Sequence, residues 1–159
     1  MNQRAIAKRN QLILVVDDDQ ETLRRLKCIF AREGYSIAIA ADGKSAVALL
    51  EEYGPDLIIL DINLDSFQVL NLIRQCSNVP VIMLTTSYEV TTLCRALVLG
   101  ADDCMRKPFY TREFLARVRA KLRRAIPEAR PSTSPTPPRL GTEQPTQRQE
   151  LLLTTTEKQ

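Results

Sequence analysis

Apolar residues are grouped along the chain into short continuous runs, separated by longer segments of mixed character. Three of these runs have the length and composition of strands: 12–16 (LILVV), 57–60 (LIIL) and 81–84 (VIML). Their continuous apolar character indicates burial on both faces, which is typical of a parallel sheet. Weaker strand candidates lie at 35–40 and 104–106. The pattern therefore predicts five strands.

The segments between these runs have the periodicity of helices. Glycines at 34, 54 and 100 fall where the helices are expected to end. The regular alternation of strand and helix predicts right-handed crossovers, and hence an α/β fold with a five-stranded parallel sheet and helices on both faces. Apolar side chains spaced i, i+3 and i+7 share one face in each of three segments: Leu23, Leu26 and Phe30; Ala46, Leu49 and Tyr53; Leu115, Val118 and Leu122.

The composition of the chain changes at residue 127. Six of the nine prolines lie in 127–159, mixed with Thr, Ser, Gln and Arg. This composition cannot bury enough apolar surface to become ordered, so we expect a folded domain over 11–126 and a disordered linker over 127–148. Residues 149–159 (QELLLTTTEKQ) contain a short apolar and β-branched run. They are either a tail or the first strand of a truncated DNA-binding domain.

The overall composition limits the chemistry and the location of the protein. There is no histidine among the 159 residues, which excludes Ser-His or Cys-His nucleophiles, His-based zinc sites and phosphohistidine chemistry in this chain. The four cysteines lie far apart and are expected to be reduced thiols. No apolar run approaches the roughly 18 residues of a membrane span, and residues 1–11 do not resemble a signal peptide. We therefore expect a cytoplasmic protein without a membrane partner.

Polar side chains follow four of the predicted strands. Asp17 and Asp18 follow the first strand, Asp61 the third, Thr85 the fourth and Lys107 the fifth. The carboxyl ends of parallel strands meet at one edge of a sheet, and ligands bind there at the point where the strand order reverses. The sequence therefore predicts three carboxylates, a hydroxyl and an ammonium group at one edge.

Each of these residues also has a purely structural explanation. The neighbouring Asp19 suits the N-cap of a helix that begins near Gln20, and a single Asp after a strand is usually a turn residue. Their coincidence at four strand ends favours a functional site. Clustered carboxylates repel one another unless a cation neutralises them, and Mg²⁺ suits a few oxygen ligands completed by water. A carboxylate beside Mg²⁺ can attack phosphorus, while an ammonium group and a hydroxyl bind the oxygens of the transferred group.

The residues at these positions resemble the motifs of bacterial response-regulator receiver domains. The resemblance spans about 11–125 and is carried by LILVVDDD, PDLIILDINL, Leu84-Thr85 and GADDCMRKPF. It implies a flavodoxin-like strand order 2-1-3-4-5, Asp61 as the phosphoacceptor, and a cis Lys107–Pro108 bond. It also implies phosphoryl contacts from Thr85 and Lys107, and a Mg²⁺ ion held by Asp17, Asp18, Asp61 and the backbone carbonyl of Asn63.

Two positions depart from the family pattern. The turn that usually follows the phosphoacceptor strand is Pro-x-x-Asp-Gly, whereas here the next helix is expected to begin about three residues early. The shorter loop is expected to alter the phosphorylation rate or the metal affinity. The position three before Lys107 is normally an aromatic residue that turns inward on activation. It is Cys104 here, so a switch based on that ring cannot operate.

The last predicted helix, 111–125, is the most basic part of the chain and resembles that of the winged-helix (OmpR-type) DNA-binding class. That class dimerises through the face formed by the fourth helix, the fifth strand and the fifth helix. The fourth helix, 89–99, is unusually apolar. A solvated amphipathic face is the ordinary alternative for the last helix. Charged residues expected to pair across a two-fold axis are Asp102, Asp103, Glu113, Arg117 and Arg124.

These features predict a two-component response regulator receiver that takes a phosphoryl group from a sensor histidine kinase onto Asp61. Phosphorylation is expected to control dimerisation and transcription, with DNA bound only through an output domain not seen in this chain. Such a protein is not an enzyme, beyond catalysing its own phosphotransfer and dephosphorylation. The alternative is a phosphorylation-independent interaction module. A Mg²⁺-dependent phosphohydrolase is disfavoured because Asn63, rather than an acid–base carboxylate, stands two residues after Asp61.

Overall fold

A computed structural model of the chain describes residues 10–62 and 65–125. Strands and helices alternate throughout this part of the chain, as the sequence predicts. The elements are β1 (Leu12–Val16), α1 (Gln20–Arg32), β2 (Ser36–Ala40), α2 (Gly43–Tyr53), β3 (Leu57–Asp61), α3 (Ser66–Cys76), β4 (Val81–Thr85), α4 (Val90–Val98), β5 (Asp103–Arg106) and α5 (Thr111–Ala125).

The five strands form one parallel sheet in the order β2-β1-β3-β4-β5. The predicted flavodoxin-like order is therefore confirmed. The chain moves outward from β1 to β2 and then crosses back to place β3 on the other side of β1. The loops that follow β1 and β3 consequently leave the sheet in opposite directions, and this opens a crevice at the carboxyl edge.

The core has two layers, one on each face of the sheet. Ile13 and Val15 of β1 point into a layer with α1 and α5, whereas Leu14 and Val16 point into a layer with α2 and α3. Alternate residues of a strand face opposite sides, so a strand buried on both faces needs apolar residues at every position. Each fully buried Leu, Ile or Phe side chain contributes roughly 1.5–3 kcal/mol to stability.

The helix faces follow the predicted pattern in α1 and α5 but not at the end of α2. The predicted apolar residues of α1 and α5 are buried. In α2 the buried residues are Ala46 and Leu50, while Tyr53 is 52% exposed. Tyr53 is the last residue of the helix, whereas the buried residues Ala46 and Leu50 lie one turn apart earlier in it. The apolar face predicted for α2 therefore extends past the buried part of the helix.

The ends of the helices agree with the sequence. Asp19 caps α1, since its carboxylate accepts a hydrogen bond from the backbone N–H of Thr22 at 2.9 Å. Gly54 ends α2 with φ 55°, in the left-handed region that favours glycine. Helix α3 begins at Ser66, which confirms the short segment after β3, and the Lys107–Pro108 bond is cis as expected. No helix within 10–62 or 65–125 is long and apolar enough to cross a membrane.

Candidate functional site

Two carboxylates and one ammonium group meet at the carboxyl edge of the sheet. The Nζ atom of Lys107 lies 2.5 Å from Oδ1 of Asp61 and 3.4 Å from Oδ2 of Asp17. Strand β4 separates β5 from β3, so the long Lys107 side chain must reach across the end of β4 to make these contacts. The fold thus brings Asp17, Asp61 and Lys107 together, although Asp17 and Lys107 are 90 positions apart in the sequence.

Asp17 is the buried carboxylate of this group, with 3% of its surface exposed. Its Oδ1 atom accepts a hydrogen bond from the backbone N–H of Asp19 at 2.8 Å. Burial raises the pKa of Asp17 above its ordinary value, and the Asp61 carboxylate raises it further, while the Asp19 N–H and Lys107 act in the opposite direction. The negative charge of Asp17 is therefore costly unless a cation lies close to it.

A cavity of about 340 Å³ opens beside these residues. The residues that line it include the acidic Asp17, Asp18 and Asp61 and the apolar Val16 and Leu60. Asp18 is exposed to solvent. Asp18 therefore lines the cavity from a solvent-exposed position.

Thr85 ends β4 and is buried. Strand β4 lies next to β3 with Leu84 opposite Asp61, so Thr85 stands one residue beyond Asp61 on the neighbouring strand. The carbonyl of Thr85 accepts a hydrogen bond from the backbone N–H of Lys107 at 2.7 Å. Its hydroxyl accepts one from the backbone N–H of Ser87 at 2.9 Å. Thr85 is thus tied both to the strand that carries the lysine and to the segment that leads into α4.

One contact at this edge was not foreseen from the sequence. The hydroxyl of Ser66 donates a hydrogen bond to the backbone carbonyl of Asp61 at 2.5 Å, and Ser66 is 1% exposed. Ser66 begins α3, and a serine at a helix start is ordinarily interpreted as a capping residue. The early start of the helix was the available signal, because it places this hydroxyl close to the end of β3. The predicted ligand Asn63 lies outside the described residues.

The donor atoms at this edge are suited to a small hard cation. Carboxylate oxygens are the ligands that Mg²⁺ prefers, and it is usually held by one or two carboxylates while it keeps several waters. Among the residues that the structure describes, no three His, Cys, Asp or Glu side chains are grouped to hold a metal by themselves. Any cation here would therefore rely on water and backbone oxygens besides the carboxylates, and it would share the carboxylates with Lys107.

Cys104 is half-buried in β5. Burial raises the pKa of its thiol, the Asp103 carboxylate raises it too, and Arg106 partly offsets the rise. The thiol is consequently protonated at neutral pH and a poor nucleophile. Cys104 lines a groove of about 430 Å³ between α4 and α5, together with Leu93 and Arg106.

Four of the five charged residues predicted for a dimer face are paired within the chain. Arg117 contacts Asp103 at 2.9 Å and Glu113 at 3.1 Å, and these contacts raise the pKa of the Arg117 guanidinium. The carboxylate of Asp102 accepts hydrogen bonds from Arg74 at 2.9 Å and from the backbone N–H of Val81 at 2.8 Å. The fifth predicted residue, Arg124, is exposed on α5.

The chain is similar to known regulators in sequence. Residues 13–119 match the family model described as response regulator receiver domain. The proteins named DNA-binding response regulator MtrA from Mycolicibacterium smegmatis and Mycobacterium tuberculosis H37Rv are each 40% identical over 117 residues, which cover 72% of this chain and 51% of each relative. The chain thus spans about half the length of the curated relatives it matches, and the predicted resemblance to DNA-binding response regulators is confirmed.

Solved structures agree with this match. A two-component response regulator from Clostridium difficile superposes with a TM-score of 0.69 at 30% identity, covering 72% of this chain and 98% of that one. A CheY-like receiver domain protein from Methanospirillum hungatei has a TM-score of 0.67 at 28% identity, covering 73% and 96%. Since the family model alone spans 13–119 of 159 residues, the chain belongs to the response regulator receiver domain family and is a signalling module.

Proposed function

We propose that Asp61 accepts a phosphoryl group from the phosphorylated histidine of a sensor kinase in a Mg²⁺-dependent reaction. The observation that carries this proposal is the contact of Lys107 with both Asp61 and Asp17 at the switch point of the sheet. A carboxylate that is within reach of an ammonium group, and that opens into a water-accessible cavity, has what a phosphoryl acceptor needs.

In the transfer, an Asp61 oxygen forms a bond to phosphorus while the bond between phosphorus and the kinase histidine nitrogen breaks. The nitrogen keeps the electron pair and takes up a proton, and Asp61 becomes an acyl phosphate. Lys107, already in contact with Asp61 Oδ1, is positioned to bind an oxygen of the incoming group. Thr85 offers its hydroxyl from the next strand. Attack by water on the same phosphorus reverses the modification, so any catalysis concerns the domain's own phosphorylation.

The proposed Mg²⁺ ion would be held by Asp18 and Asp61 and, directly or through water, by Asp17, with further waters completing its coordination. The predicted carbonyl of Asn63 would add a fourth protein ligand. When bound, the ion offsets negative charge on the phosphoryl group as it transfers. The raised pKa of Asp17 supports this assignment, because a buried carboxylate gains most from a nearby cation.

We further propose that phosphorylation controls a homodimer formed through α4, β5 and α5. Helix α4 exposes Val90, Leu97 and Val98, three apolar side chains that a partner could cover. Asp103 and Arg117 already pair within the chain, so a dimer would have to share or exchange that ion pair rather than fill a vacant position.

The proposed output is transcription control in the cytoplasm. The chain matches only about half the length of relatives that are named DNA-binding response regulators. Binding to DNA would belong to an output domain that is separate from the receiver. The receiver itself would contact the kinase and a second copy of the chain.

The mass of the intact protein after incubation with acetyl phosphate tests the acceptor chemistry. We expect one phosphoryl adduct that requires Mg²⁺ and is absent from Asp61→Asn. The matched control is Asp42→Asn, which changes an exposed carboxylate on the wall of the same cavity and keeps an N-cap residue for α2. An adduct on Asp61→Asn, or none on the folded wild type with Mg²⁺, would refute the proposal.

A second candidate function is a constitutive interaction module that ignores phosphorylation. Cys104 favours it, since a small thiol in β5 cannot act as a ring-based switch. A dimer whose dissociation constant is the same with and without the adduct, measured by sedimentation equilibrium, would establish this second function.

A further inference from the structure

Two adjacent arginines of α1 differ in what they contact. The Nε atom of Arg24 donates a hydrogen bond to the backbone carbonyl of Gln20 at 3.3 Å, within the same helix. Arg25 instead reaches the segment between β5 and α5, where its Nη2 atom donates to the backbone carbonyl of Phe109 at 3.0 Å. Its Cζ atom also lies over the Phe109 ring, 4.9 Å from the centroid. Arg25 therefore contacts both the backbone and the ring of a residue that is 84 positions away.

The ring that Arg25 contacts also packs against the core. Phe109 is 8% exposed, and its ring stacks on that of Phe114 with 4.8 Å between the centroids and 29° between the planes. Phe114 belongs to α5 and is fully buried. A guanidinium group is planar, so it can stack on an aromatic face while its N–H groups donate hydrogen bonds. Arg25 thus holds Phe109 in place at the surface, while Phe114 holds it in the core.

Phe109 lies two residues after Lys107, which carries the ammonium group of the site. The backbone N–H of Lys107 donates to the Thr85 carbonyl at 2.7 Å, which holds the start of this segment. The Lys107 side chain is flexible and must reach across the end of β4 to contact Asp61. The direction in which it leaves the backbone depends on the conformation of 107–109. Holding Phe109 therefore limits where the ammonium group can lie.

We propose that Arg25 is a positioning residue for the phosphorylation of Asp61 and acts through Lys107. This proposal rests on the proposed function of Asp61. By holding the backbone of Phe109, Arg25 keeps the ammonium group within reach of the acceptor carboxylate and of the incoming phosphoryl group. Displacement of a reacting group by about 1 Å can slow a reaction by roughly a hundredfold. Arg25 is exposed and makes its contacts at the surface, so its loss should allow a smaller displacement.

The rate of adduct formation with acetyl phosphate and Mg²⁺, followed by intact mass, measures this role. Arg25→Met keeps an apolar stem over the Phe109 ring but removes the guanidinium. We expect the rate to fall by about fivefold to tenfold, which is less than a displacement of a full ångström would cause.

The matched control is Arg24→Met, which removes the same charge from the neighbouring residue. This control is needed because Arg25 and Lys107 line the same cavity of about 290 Å³, so the Arg25 charge could attract the anionic donor directly. The rate for Arg24→Met should stay within about twofold of wild type, since salt screens an exposed charge.

A double substitution separates positioning from a purely structural role. Lys107→Ala keeps the nucleophile, so its slower adduct formation provides a second background. If Arg25 acts through Lys107, adding Arg25→Met to Lys107→Ala should slow the reaction no further, because the effects of coupled residues do not add.

A fall of equal size in both backgrounds would overturn the proposal, because Arg25 would then support the site without acting through Lys107. An unchanged rate in Arg25→Met, or an equal fall in Arg24→Met, would overturn it as well, while Asp61 would remain the acceptor. If folded wild type forms no adduct with Mg²⁺, the proposed function of Asp61 fails, and the role of Arg25 fails with it.

Discussion

The carboxyl edge of the sheet and the face formed by α4, β5 and α5 use their charges in different ways. At the carboxyl edge, Lys107 contacts the carboxylates of both Asp17 and Asp61. The Asp17 carboxylate is buried, and its neighbours only partly offset the cost of its charge. On the other face, Asp103 and Arg117 are closely matched at 2.9 Å and remain partly open to solvent. The groups at the carboxyl edge can therefore gain from binding a ligand, whereas Asp103 and Arg117 already neutralise each other.

This difference indicates where a change of state can begin. A cation or a phosphoryl group at the carboxyl edge redistributes charge among groups that are not fully compensated. The ion pairs on the α4, β5 and α5 face gain little from rearrangement, because exposed pairs contribute about 0–1 kcal/mol each. A response on that face must therefore be imposed from the site, and Thr85 is the described residue linked by hydrogen bonds both to Lys107 and to the segment before α4.

Removal of the shared ammonium group should have the largest effect. Lys107→Ala leaves two carboxylates facing each other, and breaking a fully buried pair costs about 3–5 kcal/mol. Because 18% of the Lys107 side chain is exposed, we expect about 2–3 kcal/mol here, or a fall of roughly 10 °C in Tm, in the presence of EDTA. Thermal unfolding should show most of this loss recovered with Mg²⁺, which would replace the missing positive charge.

An equal fall in Tm with EDTA and with Mg²⁺ would show that no cation takes the place of the ammonium group. Intact mass should still reveal an adduct on Lys107→Ala, since the nucleophile is unchanged, while the response at the dimer face is lost.

Removal of Asp102, which directly precedes β5, should have an intermediate effect on stability. Asp102→Ala removes the partner of Arg74 and leaves the backbone N–H of Val81 without its acceptor. We expect about 2 kcal/mol of destabilisation in urea unfolding. The control Arg124→Ala changes an exposed residue of the same predicted set and should stay within about 0.5 kcal/mol of wild type. Equal effects of the two substitutions would mean that Asp102 is not a structural residue.

Neutralising the buried carboxylate of Asp17 should have the smallest effect on stability, and this effect should be stabilising. The raised pKa of Asp17 means that the folded state binds its proton more tightly than the unfolded state. Protonated Asp17 therefore stabilises the folded state. This stabilisation is present below the ordinary pKa of 3.8 and is lost as the pH rises through the higher pKa of Asp17 in the folded state. At pH 7 without Mg²⁺, Asp17→Asn should therefore raise Tm by roughly 2–4 °C.

The gain should vanish below pH 3, where both states of wild-type Asp17 are protonated, and Mg²⁺ should stabilise the variant less than it stabilises wild type. A lower Tm for Asp17→Asn at pH 7 would contradict the assignment of an incompletely compensated charge at this position.

The fold was predictable because the buried strands β1, β3 and β4 are continuous apolar runs in the sequence. The site was predictable because a polar residue directly follows each of these runs. Asp17, Asp61 and Lys107 meet simply because the carboxyl ends of parallel strands share an edge. The pairing of Asp103 with Arg117 within the chain could not be predicted, since long charged side chains can reach several partners. The same holds for Tyr88 on Arg106, which depends on a loop conformation that no periodicity encodes.

The position of the phosphoryl group is the most direct test of the proposed site. After reaction with acetyl phosphate and Mg²⁺, borohydride reduction converts an acyl phosphate into a stable alcohol, and peptide mass spectrometry then locates it. We predict reduction at Asp61, with none in samples that lack Mg²⁺ and none at any residue of Asp61→Asn. Reduction at Asp17 or Asp18, or an adduct that resists borohydride, would contradict Asp61 as the acceptor.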